Sequence, residues 1–386
     1  MNKIYFYSSG KLHWAHKHMM ELVPEGFVAE TKEFSANPFA KATTGDASLK
    51  NNLMKTVNPW VSTAYNNFHI LLGMPKKRVF PGDGYDLVHS TQALLETDVP
   101  YVVDFEHASV FSGYNQYAFK YKPFLQALAR ELENKKLKKA IAWSKHAERS
   151  MTNFIKTDKV ETVYPCANFP KAKPKKKGGD SVDFLFIGRT FYQKGGYEAA
   201  LAFDRISDKY DATFTVITNL PKEQMPFAKN EKIKMLELQP YEKIVEFYEN
   251  SDVFVFPTHY DTYGFVIPEA FSFGLPVIGV DSFSSPELIG HEKTGLIVKS
   301  YFSSFADDEG YTWPTIHEVS KKRLELSKKP PEWYIQSLSE AMERLIVDGK
   351  LRSRLSRAAY LETSEGKFSE GEYKKKMGRI YEEAVG

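Results

Sequence analysis

The strongest constraint on this chain is the alternation of short apolar runs with longer amphipathic stretches. The apolar runs are rich in β-branched and aromatic side chains, which is typical of strands buried on both faces. The stretches between them have the period of an amphipathic helix. Strands that alternate with helices indicate a parallel sheet with helical crossovers, so we predict an α/β fold.

The predicted elements divide between two halves of the chain, each with the alternation of a doubly wound sheet. In the first half we predict strands at Ile4–Tyr7, Leu87–His89, Tyr101–Phe105, Ala140–Trp143 and Glu161–Tyr164, and helices at Leu53–Leu72, Phe124–Lys138 and His146–Ile155. In the second half we predict strands at Asp183–Ile187, Ala212–Thr218, Asp252–Phe256, Pro276–Val280 and Gly295–Val298, and helices at Gly195–Ile206, Tyr241–Asn250 and Ile267–Phe273.

A Lys/Pro/Gly segment separates the halves. Residues 170–179 contain no large apolar side chain, which is typical of a solvated linker, although their lysines leave an anion or membrane-surface patch as the alternative. We therefore predict Rossmann-like domains at 1–170 and 181–365 with a linker at 171–180. Residues 366–386 have a helical pattern and form a terminal helix in this scheme.

Composition excludes several classes of protein. With 52 Lys and Arg against 49 Asp and Glu, the formal charge of +3 does not favour nucleic-acid binding. A lone Cys166 excludes an internal disulfide and a cysteine-rich zinc site, and it favours a reducing compartment, the cytoplasm. No apolar run reaches the length of a membrane span, and Ile4–Tyr7 is too short for a signal-peptide core, so secretion is not expected.

The segment 252–279 carries the clearest chemical pattern. A buried strand leads into a loop with Asp261 and Gly264, and a helix is predicted to begin near Phe265. Ligands of open α/β sheets bind at the carboxyl ends of strands, where a helix N-terminus offers free amides to a phosphate. Glu269 lies in the first turn of this helix, where it is either an ordinary helix-start acid or a ligand-binding residue.

A second strand, glycine turn and helix occur at 184–196. Arg189 and Lys194 follow the end of this strand. Each residue alone has the ordinary interpretation of a surface charge. Together with helix amides, the two cations would stabilise a leaving diphosphate more strongly in the transition state than in the ground state.

These segments resemble the donor site of glycosyltransferase family 4, whose members are retaining enzymes with two facing Rossmann-like domains, the GT-B fold. The resemblance covers most of the chain. It rests on Gly188-Arg189 with Lys194-Gly195, on Asp261-x7-Glu269, and on the later segments 274–278, 285–289 and 294–298.

The resemblance implies a role for each donor-site residue. Arg189 and Lys194 would bind the diphosphate, Glu269 the ribose hydroxyls and Asp261 a hydroxyl of the donor sugar. The family usually has Glu at the position of Asp261, so the shorter side chain predicts a different sugar pose. The backbone at four residues would approach the phosphates: Gly188, Gly264, Phe265 and Val266.

The first half resembles the family through 85–90 and 101–107. The resemblance places His107 near the anomeric carbon, with Glu106 and Asp104 beside it; the alternative is a histidine bonded to backbone at a strand end. Gly10 would lie in the loop that approaches donor and acceptor, with a simple turn as its alternative.

The resemblance implies a retaining glycosyltransferase that moves a sugar from a UDP or GDP sugar to a saccharide, glycan or lipid-linked acceptor. No Asp-x-Asp triplet is present, so we expect metal-independent transfer without a cofactor. A nucleotide-sugar epimerase and a non-catalytic binding protein are the alternatives. We expect a cytoplasmic protein, with peripheral membrane contact left open, and a last helix that crosses back to the first domain.

Overall fold

The computed structural model describes residues 1–8, 12, 14–31, 73–80, 82, 84–166, 170, 181–220, 227, 229–301 and 328–386. Three predictions lie outside these residues: Gly10, the helix Leu53–Leu72 and the linker 171–180. The described residues form two compact units, one with residues up to 165 and from 374 to 386, the other with those between. Among the described helices, none has both the length and the apolar character needed to cross a bilayer.

The first unit is built on a six-stranded parallel sheet in the order β2-β1-β4-β6-β7-β8, with a small parallel pair β3-β5. Its strands are β1 Asn2–Tyr7, β2 Phe27–Glu30, β3 Lys77–Val79, β4 Leu87–Thr91, β5 Leu94–Glu96, β6 Tyr101–Phe105, β7 Leu137–Ala142 and β8 Val160–Thr162. Its helices are α1 Trp14–Glu21, α2 Lys122–Leu132 and α3 Lys145–Thr152, with 3-10 turns at Ala108–Ser112 and Gln116–Lys120.

The second unit contains a parallel sheet in the order β11-β10-β9-β12-β13-β14. Its strands are β9 Val182–Gly188, β10 Ala212–Thr218, β11 Ile233–Leu236, β12 Val253–Phe256, β13 Val277–Val280 and β14 Gly295–Val298. Its helices are α4 Gly196–Ser207, α5 Tyr241–Glu249, α6 Val266–Ser272, α7 Ser285–Leu288, α8 Glu332–Val347 and α9 Gly349–Ser364. The strand order is that of a Rossmann fold, so the predicted fold class is confirmed.

The predicted helix Phe124–Lys138 was too long. The structure ends α2 at Leu132 and begins β7 at Leu137. Asn134 makes the turn between them: its carbonyl accepts from the Leu137 amide at 3.1 Å, and its side-chain oxygen accepts from the Lys136 amide at 2.9 Å. Leu137 is fully buried, so the apolar pattern that resembled a last helical turn belongs to the first residue of a strand.

The last helix, Glu370–Val385, packs on the first unit, as predicted. Tyr381 lies 2.6 Å from His89 Nδ1 through its hydroxyl, and His89 Nε2 lies 3.2 Å from Asp104. His16 Nε2 reaches the same carboxylate at 3.0 Å. Burial alone would raise the pKa of Asp104, but the two histidines outweigh it and hold this pKa well below its usual range.

We expect Tyr381→Phe to lower the free energy of unfolding of the first unit by about 2 kcal/mol, because the buried His89 nitrogen loses its hydroxyl donor. Urea denaturation checks this. Arg379→Met is the control on the same helix: Arg379 is about half exposed and pairs with surface carboxylates, so a loss below about 0.5 kcal/mol is expected. Equal losses in the two variants would show that the Tyr381 hydroxyl does not hold the helix.

Candidate functional site

The site forms where the strand order of the second sheet reverses. Strand β9 lies between β10 and β12, and β9 and β12 end at Gly188 and Phe256. Ligands of open α/β sheets bind outside such a switch point because the connections leave toward opposite faces and open a crevice. The loops 189–195 and 257–264 follow the two strands at this place.

The two loops touch at a glycine. Gly195 has a φ of +77°, a conformation that L side chains rarely adopt, and a Cβ built on it would lie 2.1 Å from the carbonyl oxygen of Pro257. The amide of His259 also donates to the carbonyl of Gln193 at 3.1 Å. The sequence Lys194-Gly195 therefore holds the lysine directly against the second loop.

Lys194 and Asp261 form an ion pair across the two loops. Lys194 Nζ lies 2.8 Å from Asp261 Oδ2 and donates to the carbonyl of Tyr260 at 2.7 Å. The other carboxylate oxygen of Asp261 accepts from the Gly264 amide at 2.8 Å. The two side chains are 22% and 24% exposed, so a ligand in the crevice can reach both partners.

Arg189 follows β9 directly and is exposed. Its carbonyl accepts from the Asn219 amide at 3.1 Å, which fixes the backbone at the end of the strand. Among the described residues, no carboxylate forms an ion pair with its guanidinium. Arg189 and Lys194 thus both lie in the short loop that follows β9, and both can bind an anionic group there.

Helix α6 begins at Val266 directly after Phe265, as predicted. The amide of Ile267 donates to the carbonyl of Gly264 at 2.9 Å, and no side chain among the described residues caps this end of the helix. Gly264 has a φ of +81°, which allows the sharp turn from Asp261 into the helix.

Glu269 is buried, which does not fit an ordinary exposed helix-start acid. Tyr248, on α5, donates its hydroxyl to Glu269 Oε2 at 3.2 Å. Burial, and to a smaller extent the negative charge of Asp261, raises the pKa of Glu269 to about 7, although the Tyr248 hydrogen bond opposes the shift. A carboxyl of this pKa changes charge near neutral pH, which is frequent at functional sites.

His107 belongs to the first unit and follows β6. Its Nδ1 accepts from the Ser109 amide at 3.2 Å and so caps the 3-10 turn that follows, which is the backbone-bonded arrangement named as its alternative. Burial and the neighbouring His146 lower the pKa of His107 to about 3. The ring is neutral at physiological pH, with its proton on Nε2, and its predicted role near an anomeric carbon stays a prediction.

The other predicted residues of the first unit lie in separate environments. Asp104 is enclosed by His16 and His89, whereas Glu106 accepts from the Tyr114 hydroxyl at 3.2 Å. His16 and His89 bond to the Asp104 carboxylate itself, and in the described part of the chain no group of three or more His, Cys, Asp or Glu side chains is arranged to hold a metal ion.

Two features of this site were not predicted from the sequence. Tyr248 was not singled out because its partner Glu269 lies 21 residues away on another helix. The buried pair of Glu198 and His259 was missed for the same reason, since 61 residues separate them. The only signal in the sequence was that His259 stands two residues before Asp261.

Residues 169–308, which include this loop pair, match the family described as glycosyl transferases group 1. An uncharacterized glycosyltransferase of Methanocaldococcus jannaschii is 26% identical over 250 residues, 62% of this chain and 59% of that protein. CapM of Staphylococcus aureus, a capsular polysaccharide biosynthesis glycosyltransferase, is 29% identical over 156 residues, 36% of this chain and 40% of that protein. The matches span between 32% and 59% of the length of the curated relatives.

Among solved structures, HepE of Anabaena in complex with UDP-glucose aligns with a TM-score of 0.57 at 14% identity, over 99% of both chains. Sucrose-phosphate synthase of Thermosynechococcus elongatus aligns with a TM-score of 0.60 at 15% identity, over 99% of this chain and 98% of that one. At such identity the likeness concerns the fold. The chain therefore has the GT-B fold, and its second unit is similar to group 1 glycosyl transferases.

Proposed function

We propose that the chain is a retaining glycosyltransferase that transfers a sugar from a nucleotide-diphosphate sugar to an acceptor hydroxyl. The observation that carries the proposal is the Lys194–Asp261 pair, which places a cation and a carboxylate side by side at the switch point of a Rossmann-like sheet. The cation can compensate the negative charge of a diphosphate, and the carboxylate can accept a hydrogen bond from a sugar hydroxyl. The group 1 match includes both residues, as well as Arg189 and Glu269.

In this proposal the donor lies along the two loops of the second unit. Arg189 and Lys194 hold the diphosphate together with backbone amides at Phe265 and Val266. Glu269 accepts hydrogen bonds from the ribose hydroxyls in its carboxylate form. We take UDP as the first nucleotide to test because HepE was solved with UDP-glucose.

The chemical step breaks the bond between the anomeric carbon and the diphosphate oxygen. The leaving diphosphate gains negative charge, which Arg189 and Lys194 stabilise most strongly in the transition state. The acceptor hydroxyl forms the new bond from the face that the diphosphate leaves, and its proton passes to a departing phosphate oxygen, so the configuration is retained. Asp261 orients the sugar through a hydroxyl. For His107, neutral with a proton on Nε2, a role near the anomeric carbon is part of the same proposal.

Release of free nucleoside diphosphate tests the function. We expect one member of a panel of UDP-, GDP- and ADP-sugars to be consumed, faster with a saccharide acceptor than without, and with unchanged activity in EDTA. The anomeric configuration of the product, read by NMR, tests retention. An epimerised donor without glycosylated acceptor would identify an epimerase instead, and nucleotide binding without turnover would identify a binding protein.

A further inference from the structure

A buried carboxylate and imidazole lie behind the candidate site. His259 Nε2 is 2.5 Å from Glu198 Oε1, and both side chains are fully excluded from solvent. The Tyr301 hydroxyl donates to the same oxygen at 2.8 Å. The imidazole and the phenol hydroxyl therefore both bond to one buried carboxyl oxygen, and the angular preference of hydrogen bonds fixes how these side chains are oriented.

This pair connects the second loop of the site to the helix that follows the first loop. Glu198 lies in the first turn of α4, which begins directly after Lys194 and Gly195. His259 lies in the loop 257–264, two residues before Asp261. Its backbone amide also donates to the carbonyl of Gln193 at 3.1 Å, so His259 is fixed to the first loop through its backbone and to the first turn of α4 through its side chain.

Stability alone gives a weak account of the pair. A buried hydrogen-bonded pair can often be replaced by apolar side chains of similar shape with little loss of stability. Among the described residues, moreover, no donor lies on the second oxygen of Glu198, and a buried acceptor without a donor is costly. An apolar pair has no directional contact, so it cannot fix the position of the second loop relative to the first as a hydrogen bond does.

We propose that Glu198 and His259 are positioning residues that set the place of Asp261 relative to Lys194. The inference rests on the proposed function, since it assigns the spacing between the group that orients the sugar and the group that binds the diphosphate. We call the Glu198–His259 hydrogen bond the tether. Its loss moves the loop of Asp261, whereas Arg189, Lys194 and Glu269 lie outside this loop. Nucleotide binding and sugar positioning are therefore separable.

The test compares His259→Leu with His259→Gln in the full chain. Leucine removes the contact, whereas the amide of glutamine can donate from the position of the imidazole Nε2. We expect His259→Leu to lower kcat for the nucleotide sugar by about a hundredfold, because a small misplacement of reacting groups is sufficient for such a loss. We expect the Kd for free UDP to change by less than about threefold, and His259→Gln to recover most of the lost kcat.

Ser339→Ala is the matched structural control. The buried Ser339 hydroxyl donates to the carbonyl of Ala202 on α4, the helix that also carries Glu198, and this contact lies away from both loops. We therefore expect the substitution to lower stability while kcat stays within about threefold of wild type. A kcat loss in His259→Leu that equals that of Ser339→Ala would overturn the proposal. So would a His259→Gln variant as impaired as His259→Leu, or a parallel loss of UDP affinity.

Hydrogen exchange of residues 258–264 gives a readout that does not depend on catalysis. We expect faster exchange in His259→Leu than in the wild type and no change in Ser339→Ala. If the wild-type protein consumes no nucleotide sugar, the proposed function fails while the exchange experiment still tests the tether. Unchanged exchange in His259→Leu would refute the tether itself.

Discussion

Lys194→Met lowers kcat for the donor sugar by between about a hundredfold and a thousandfold, which is the loss expected when one preorganised partner of a developing anion is removed. Methionine keeps most of the unbranched stem of lysine but cannot compensate the charge of the leaving diphosphate. Because that charge develops mainly in the transition state, we expect kcat to fall more than KM rises. Steady-state release of nucleoside diphosphate measures both constants.

Lys209→Met is the control for a general effect of lost positive charge. Lys209 lies in the same unit, is 64% exposed and approaches Glu343 only at 3.8 Å. We expect its kcat to stay within about twofold of wild type, as is usual for surface substitutions away from a site. A Lys194→Met enzyme that retains more than about a third of the wild-type kcat would remove this residue from the proposed mechanism.

From pH 5 to pH 8 the free energy of unfolding of the wild type falls by about 2.5 kcal/mol through Glu269, and we expect Glu269→Gln to remove this loss. The sign follows from the pKa of about 7 in the folded protein against 4.5 for an ordinary glutamate side chain. Between these values the folded state binds more protons than the unfolded state, so wild-type stability falls as pH rises through this window. Glutamine does not titrate and is free of this loss. Urea denaturation of both proteins at pH 5 and 8 measures the difference.

We expect the same substitution to weaken nucleotide binding and to remove its dependence on the charge of Glu269. In wild type, the carboxylate that we propose accepts hydrogen bonds from the ribose hydroxyls is depleted below pH 7, so we expect UDP affinity at pH 6 to be about tenfold weaker than at pH 8. Glu269→Gln binds weakly at both pH values, and titration of the ligand's own phosphate is common to both proteins. Calorimetric titration with UDP measures this. Glu246→Gln, on the exposed face of α5, serves as the control and leaves both pH profiles unchanged.

The sequence predicted the parts of the fold that depend on local pattern. The central strands of both sheets are continuous apolar runs, so β6 and β12 were found within one residue of their observed bounds. The edge strands β2 and β11 were not predicted. Each pairs with a single neighbour among the described strands and carries charged or exposed residues, so neither has the apolar run that marks a central strand.

The same distinction between local pattern and tertiary packing applies to the candidate site. Lys194, Asp261 and Glu269 could be singled out because each follows a strand within a short segment, and the structure brings the first two into contact. The hydrogen bond from Tyr248 and the tether between Glu198 and His259 could not be predicted. They depend on which helix packs against which loop, and that is decided by tertiary packing and not by the spacing of residues along the chain.

The contact between Tyr381 and His89 has a consequence for synthesis of the chain. Residues 374–386 complete a unit whose strands were made first, and the whole second unit is translated between them. Domains fold as units while the ribosome is still adding residues. The second unit can therefore close on itself during translation, whereas His89 receives its hydroxyl partner only after Tyr381 has left the ribosome, so the first unit to begin is the last to be finished.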